Sequence, residues 1–188
     1  MIHGSDDARV NGGRLEQLLQ GACYPVKILG DTYNFYDTVG LGEHSGNVNA
    51  TRATGNLYCL VADLSDAGGV NLLIYVIRCN KRPVETMRKN YSLIHHGFCD
   101  SNVPIVIVVI GCKSVGPKMD RWWTDNQVSF SQAGMSFKGH ACVCAFKGTK
   151  MRDGSYHNQD LVQESELAVT QLIVQHCSST GWKKVWYL

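Results

Sequence analysis

Two apolar runs, Val70 to Ile77 and Val103 to Ile110, constrain this chain more than any other feature. Both are nearly continuous and rich in β-branched residues. Runs of that length fit strands covered on both faces, as in a parallel sheet; a strand with one wet face would alternate apolar and polar residues. Between the runs, Val84, Met87, Tyr91, Ile94 and Phe98 mark one face of a helix, with Pro83 placed for its first turn. Strand, helix and strand in that order make a βαβ unit.

The rest of the pattern extends this theme. Pro25 to Leu29 and Thr32 to Tyr36 are short β-prone runs, and Gly30-Asp31 between them is a hairpin signal. A loop rich in Gly and Asn runs from Gly40 to Asn49. Ala50, Ala53, Leu57, Leu60, Val61 and Leu64 then recur at helical spacing, and Ala67-Gly68-Gly69 stops that helix. Met119 to Phe130 reads as a helix and His140 to Phe146 as a further strand. Asp160 with Gln163 reads as a capping box for a last helix, whose buried stripe includes Leu161, Ala168, Leu172 and Ile173. Residues 1–24 are polar and Gly-rich, with one short helical stretch from Leu15 to Leu19. The expected organisation is therefore a poorly structured segment over 1–24 and a three-layer α/β domain over 25–188, with a mostly parallel sheet and no internal repeat.

Composition sets the functional bounds. A chain of 188 residues with 44% hydrophobic and 18% charged residues has the material for a packed core. A net charge of +2 is too small to argue for a nucleic-acid partner or an acidic membrane surface. The longest apolar run is too short to span a bilayer, and the N-terminus carries no signal-peptide pattern. The expected location is cytoplasmic, and the eight cysteines read as reduced thiols.

The most distinctive local pattern is Tyr33-Asn34-Phe35-Tyr36-Asp37-Thr38-Val39-Gly40, a strand ending in Asp with Gly three residues later. Ligands of α/β sheets bind at the carboxyl ends of the strands. An Asp there can hold a magnesium ion through water, and a Gly can bring its N–H close to a terminal phosphate. Asp and Gly are also ordinary turn residues. Further along come Gly68-Gly69-Val70-Asn71-Leu72-Leu73 leading to Arg78, then Val103-Pro104-Ile105-Val106-Ile107-Val108-Val109, Met119-Asp120-Arg121-Trp122-Trp123 and Gly139-His140-Ala141-Cys142. In this order and spacing the chain, from about Cys23 onward, resembles fungal G-domain proteins, distant relatives of the septin-like and immunity-associated GTPases. The resemblance implies a P-loop NTPase fold that is N-terminally incomplete, GTP or GDP with Mg²⁺ as ligands, and GTP hydrolysis as the family activity. It matches Asp37, Thr38 and Gly40 to the magnesium- and phosphate-sensing motif, with Asp37 as the metal-facing residue. Ala145 matches the position whose backbone N–H meets the guanine oxygen.

The departures from that family are chemical. A P-loop needs Gly-x-x-x-x-Gly-Lys-Ser/Thr after a strand, so that backbone N–H groups, a Lys and a hydroxyl hold phosphates and magnesium. Here Gly4, Gly12 and Gly13 lie in polar sequence with no Lys-Ser or Lys-Thr after them, and Arg14 to Gln20 reads as a remnant of the following helix. The first-switch Thr has no clear counterpart. After the Val103 strand, where the family carries an acidic guanine acceptor, the residues are Ile110, Gly111, Cys112 and Lys113. An ammonium group cannot accept a hydrogen bond. Where many GTPases place a water-orienting Gln, this chain has Leu41, with Glu43 and His44 close behind.

Other residues have two readings. Arg78, with Lys81 and Arg82 nearby, is either a contact to phosphate or a partner, or a solvated basic loop. His140, Cys142 and Cys144 alternate on one strand face, and free Cys is among the most buried residue types, so core packing outweighs a metal site. Of Trp122 and Trp123, one faces the core and its neighbour the boundary. His95 and His96, before Gly97, suit a helix C-terminus. Three functional expectations follow: a GTP-binding G domain, a non-enzymatic interaction module that serves a protein partner, or a truncated gene product. Nucleotide binding and hydrolysis are expected to be impaired or lost.

Overall fold

A computed structural model describes residues 23–38, 47–80, 83–114 and 118–185. The described residues fall into two compact units. One holds residues 71–180, the other the described residues up to Val70 together with those from Gly181 onward.

The unit of residues 71–180 is an α/β layer structure. Its strands are β3 (Leu73–Arg78), β4 (Ile105–Ile110) and β5 (His140–Val143), in the order β3-β4-β5 and parallel throughout. The register pairs Arg78 with Ile110, and Ile110 with Val143. Central β4 is buried along nearly its whole length, as its unbroken β-branched run requires. One sheet face, with Val106, Val108, Ala141 and Val143, packs on Leu172, Ala168 and Val169 of α4 (Gln159–His176). The other face, with Ile107, Val109 and Cys142, packs on Met87 and Tyr91 of α2 (Glu85–Tyr91) and on Trp122 and Phe130 of α3 (Arg121–Gln132). Asn71 closes the unit: its Nδ2 donates to the Ser178 carbonyl at 2.8 Å, and the Ser178 N–H donates to its carbonyl at 3.1 Å.

The second unit contains the hairpin of β1 (Cys23–Ile28) and β2 (Asp31–Tyr36), and helix α1 (Asn47–Asp66). β1 and β2 pair antiparallel with each other in a two-stranded sheet of their own. This corrects the expectation that both would extend the parallel sheet. The turn is Leu29-Gly30, with φ of 50° and 99°, so Asp31 opens β2 instead of lying in the turn. Two positive-φ residues match the twist of a two-residue hairpin. On α1, Leu57, Leu60 and Val61 are buried. The Gly69 N–H donates to the Leu64 carbonyl, with Gly68 and Gly69 at positive φ, and so ends the helix. Val70 leaves the strand expected of it and pairs with Trp182.

Three helix details depart from the sequence pattern. Val84 is 52% exposed because it is the extended residue capping α2, so it is not on the helix face. Past Tyr91 the helix widens into a π-helix (Ser92–Phe98), where the Cys99 N–H reaches the Ile94 carbonyl. The Asp160–Gln163 capping box is not formed: Asn158 stands at the N-cap and donates its side chain elsewhere, to the Phe146 carbonyl. Leu15 to Leu19, Gly40 to Gly46, Lys81 and Arg82 lie outside the described residues. Among the described residues, no helix is long and apolar enough to cross a membrane.

Candidate functional site at the carboxyl edge of the parallel sheet

Because β3, β4 and β5 run parallel in adjacent register, their carboxyl ends form one edge. Arg78 is the last residue of β3 and is exposed. Lys113 lies in the 3₁₀ turn Cys112–Ser114 just after β4, and Ala145 follows β5; both are exposed. The sheet thus gathers the three sequence-predicted residues that belong to this unit. Asp37 and Thr38 are exposed, directly after β2, and belong to the hairpin unit. Among the described residues β2 pairs with β1 alone, antiparallel, so Asp37 does not stand at the tip of a strand of the parallel sheet. Gly40, Leu41, Glu43 and His44 lie outside the described residues.

Hydrogen bonds within the protein hold the edge and engage the backbone donors of Cys79, Gly111 and Cys144. The Cys79 N–H donates to the Ile110 carbonyl at 2.9 Å, and the Gly111 N–H to the Val143 carbonyl at 2.9 Å. The Cys144 N–H donates to Ser165 Oγ at 2.9 Å, and that hydroxyl donates to the Leu161 carbonyl at 2.6 Å. Trp122 Nε1 donates to the Cys79 carbonyl, anchoring the turn after β3 to α3. Gly111 has φ of 87°, which lets the chain turn sharply from β4 into the 3₁₀ turn. Lys113 Nζ stands 5.8 Å from the centroid of the Phe146 ring, within cation–π range. Asn158 braces the loop beyond β5, with Nδ2 on the Phe146 carbonyl at 2.9 Å and its N–H on the Lys147 carbonyl at 2.9 Å.

Beneath the edge lies a group of thiols that no single sequence motif announces. Cys112 (1% exposed) and Cys142 (3% exposed) are within hydrogen-bonding reach of each other, and Cys79, half-buried, is within reach of Cys112. Cys79 Sγ also donates to the Gly111 carbonyl at 3.0 Å. The hydrogen bond to Cys142 and burial push the Cys112 thiol up, and burial pushes up Cys79. All eight cysteines are free. Among the described residues, no group of three or more His, Cys, Asp or Glu is placed to hold a metal ion. Cys142 and Cys144 are buried in the core, as packing predicted, while His140 stacks on Trp123 with centroids 5.1 Å apart.

A concavity of about 280 Å³ is lined by α3 and the segment leading into β5, among them Trp123, Val128, Met135 and Phe137. None of the sequence-predicted site residues lines it.

No family model matches the chain, and no curated protein or solved structure is significantly similar to it.

Proposed function

We propose that this chain is a G-domain-type module in which nucleotide binding and hydrolysis are impaired or lost. The observation that carries the reading is the parallel β3-β4-β5 register, which sets Arg78, Lys113 and Ala145 at one carboxyl edge, where α/β sheets take their ligands. Two features of the same edge support weakened binding of GTP. The N–H groups of Cys79, Gly111 and Cys144 are already bonded within the protein. The turn after β4 offers the Lys113 ammonium in place of the carboxylate that would accept hydrogen bonds from guanine. No hydrolytic step is derived for this chain.

A second reading, a non-enzymatic module for a protein partner, draws on Phe146. It is 65% exposed at this edge beside Lys113, a pairing of aromatic and cation that suits a protein contact. Equilibrium binding of fluorescent GTP and ATP, with and without magnesium, tests the first reading. The expected result is weak or absent binding, little preference between the bases, and no GTP hydrolysis above background. Tight, magnesium-dependent, GTP-selective binding would overturn it.

A further inference from the structure

Cys79 immediately follows β3, and its N–H and Sγ bond the carbonyls of Ile110 and Gly111. Its backbone therefore lies one strand spacing, about 4.8 Å, from the segment that leads into Cys112. In an uninterrupted strand, residue 112 would point away from the face shared by residues 79 and 111, because side chains alternate. The positive φ at Gly111 and the 3₁₀ turn break that alternation. They fold Cys112 inward, where its Sγ donates to the Val109 carbonyl at 3.4 Å and comes within hydrogen-bonding reach of Cys79. Cα atoms about 4.4–6.8 Å apart suffice for a disulfide. The two thiols differ in access: Cys79 is partly open to solvent and Cys112 is buried.

We propose that Cys79 and Cys112 are a redox-active dithiol, in which Cys79 attacks small-molecule disulfides and Cys112 resolves the adduct into an intrachain disulfide. Cys79, as thiolate, attacks one sulfur of the small disulfide. The new S–S bond forms as the old one breaks, and one small thiolate leaves and takes a proton from solvent. Cys112 loses its proton and attacks the Cys79 sulfur, expelling the second small thiol. Two protein thiols are oxidised and one small disulfide is reduced to two thiols. Cys142 does not take the place of Cys79, because it is 3% exposed on β5 and shielded from an incoming disulfide. A three-thiol metal centre is not proposed, since no three such residues are arranged for one among those described. The bridge would fasten the tips of β3 and β4 next to Arg78 and Lys113. Burial raises the Cys79 thiol, and the hydrogen bond to Cys142 with burial raises that of Cys112, so the exchange is slow at neutral pH and quickens as pH rises and the thiolates form.

The test uses the full chain carrying Cys23→Ser, which removes the exposed thiol of β1. The reduced protein is incubated with excess oxidised glutathione at mildly alkaline pH, quenched in acid and mapped by peptide mass. The expected product is a Cys79–Cys112 cross-link lighter by two hydrogens. With Cys112→Ser added, the reaction stops at glutathione on Cys79; with Cys79→Ser, Cys112 stays unmodified over the same period. Phenylarsine oxide gives a second readout without a substitution in the pair: one arsenical per chain, protecting both Cys79 and Cys112 from alkylation. The proposal is overturned if Cys79 stays glutathionylated while Cys112 is intact, if Cys79 does not react in the folded chain, or if the bridge maps to Cys112 and Cys142.

Discussion

Ser165 shows how one hydroxyl decides where a strand stops. Its Oγ takes the Cys144 N–H and gives its own proton to the Leu161 carbonyl, so β5 ends at Val143 although the apolar pattern continues through Phe146. Ser165→Ala leaves a buried N–H unpaired and is expected to cost about 1–3 kcal/mol in urea unfolding; an unchanged midpoint would contradict that role. His95 is a second such residue. Its Nε2 lies 3.1 Å from the Val103 carbonyl, so Nε2 carries the proton, while Nδ1 is buried without a partner. Burial, then His96 and Lys138, hold its pKa below the ordinary 6.5; burial lowers His140 too, against the pull of Asp120. With folded values depressed, the unfolded chain takes up protons first on acidification. The contribution of these two histidines to stability is therefore fully present above pH 6.5 and is lost as pH drops from there through the folded values. His95→Gln keeps a donor for Val103 but does not titrate, so it is expected to flatten the pH dependence of the unfolding midpoint below 6.5. At this scale the edge residues were readable, because Arg78, Lys113 and Ala145 each follow a recognisable strand. The thiol group was not, since Cys79, Cys112 and Cys142 belong to three separate strand segments and meet only through sheet register.

Among the elements, the approach to β5 packs closely on α4 at Gly139. A Cβ placed on Gly139 would stand 2.5 Å from His176 Nε2 and 2.7 Å from Leu172 Cδ1. Gly139→Ala requires the half-buried His176 and the buried Leu172 to move aside, and the displaced Leu172 makes it an overpacking expected to cost about 1–3 kcal/mol. His176→Ala on top should recover part of that loss in a double-mutant cycle; strict additivity would show that the clash is not the cause. The parallel strands were legible because β4 needs cover on both faces and its composition shows it. The hairpin was legible too, but its place was not: short β-prone runs at Pro25 to Leu29 and Thr32 to Tyr36 show that strands form, not which sheet they join. The π-helix was invisible because Tyr91 and Phe98, seven residues apart, fit an α-helical stripe as well as a widened turn. The capping box failed for a tertiary reason, as Asn158 takes the cap position and braces the Phe146 loop. Sequence spacing cannot register a competitor that acts across a fold.

For the molecule as a whole, the question is which part carries its own stability. The hydrophobic clusters on the two faces of the parallel sheet draw all their residues from 71–180. The chain ends of that unit meet through the paired hydrogen bonds of Asn71 and Ser178, so excising it cuts outside its core and leaves its closure intact. The hairpin of β1 and β2 has no third strand among the described residues, and a lone two-stranded hairpin is marginal in water. A fragment of residues 71–180 is therefore expected to fold alone. It should show one cooperative urea transition by far-UV dichroism, coincident with that of the buried Trp122 and its neighbour Trp123 by fluorescence. Asn71→Ala in the fragment removes only the side-chain half of the closure and should lower its stability by about 0.5–1.5 kcal/mol. A fragment that keeps helical dichroism without a cooperative transition would show that the parallel sheet depends on the rest of the chain. It would also mean that its carboxyl edge, with Arg78, Lys113 and the thiols beneath, is not set by the βαβ core alone.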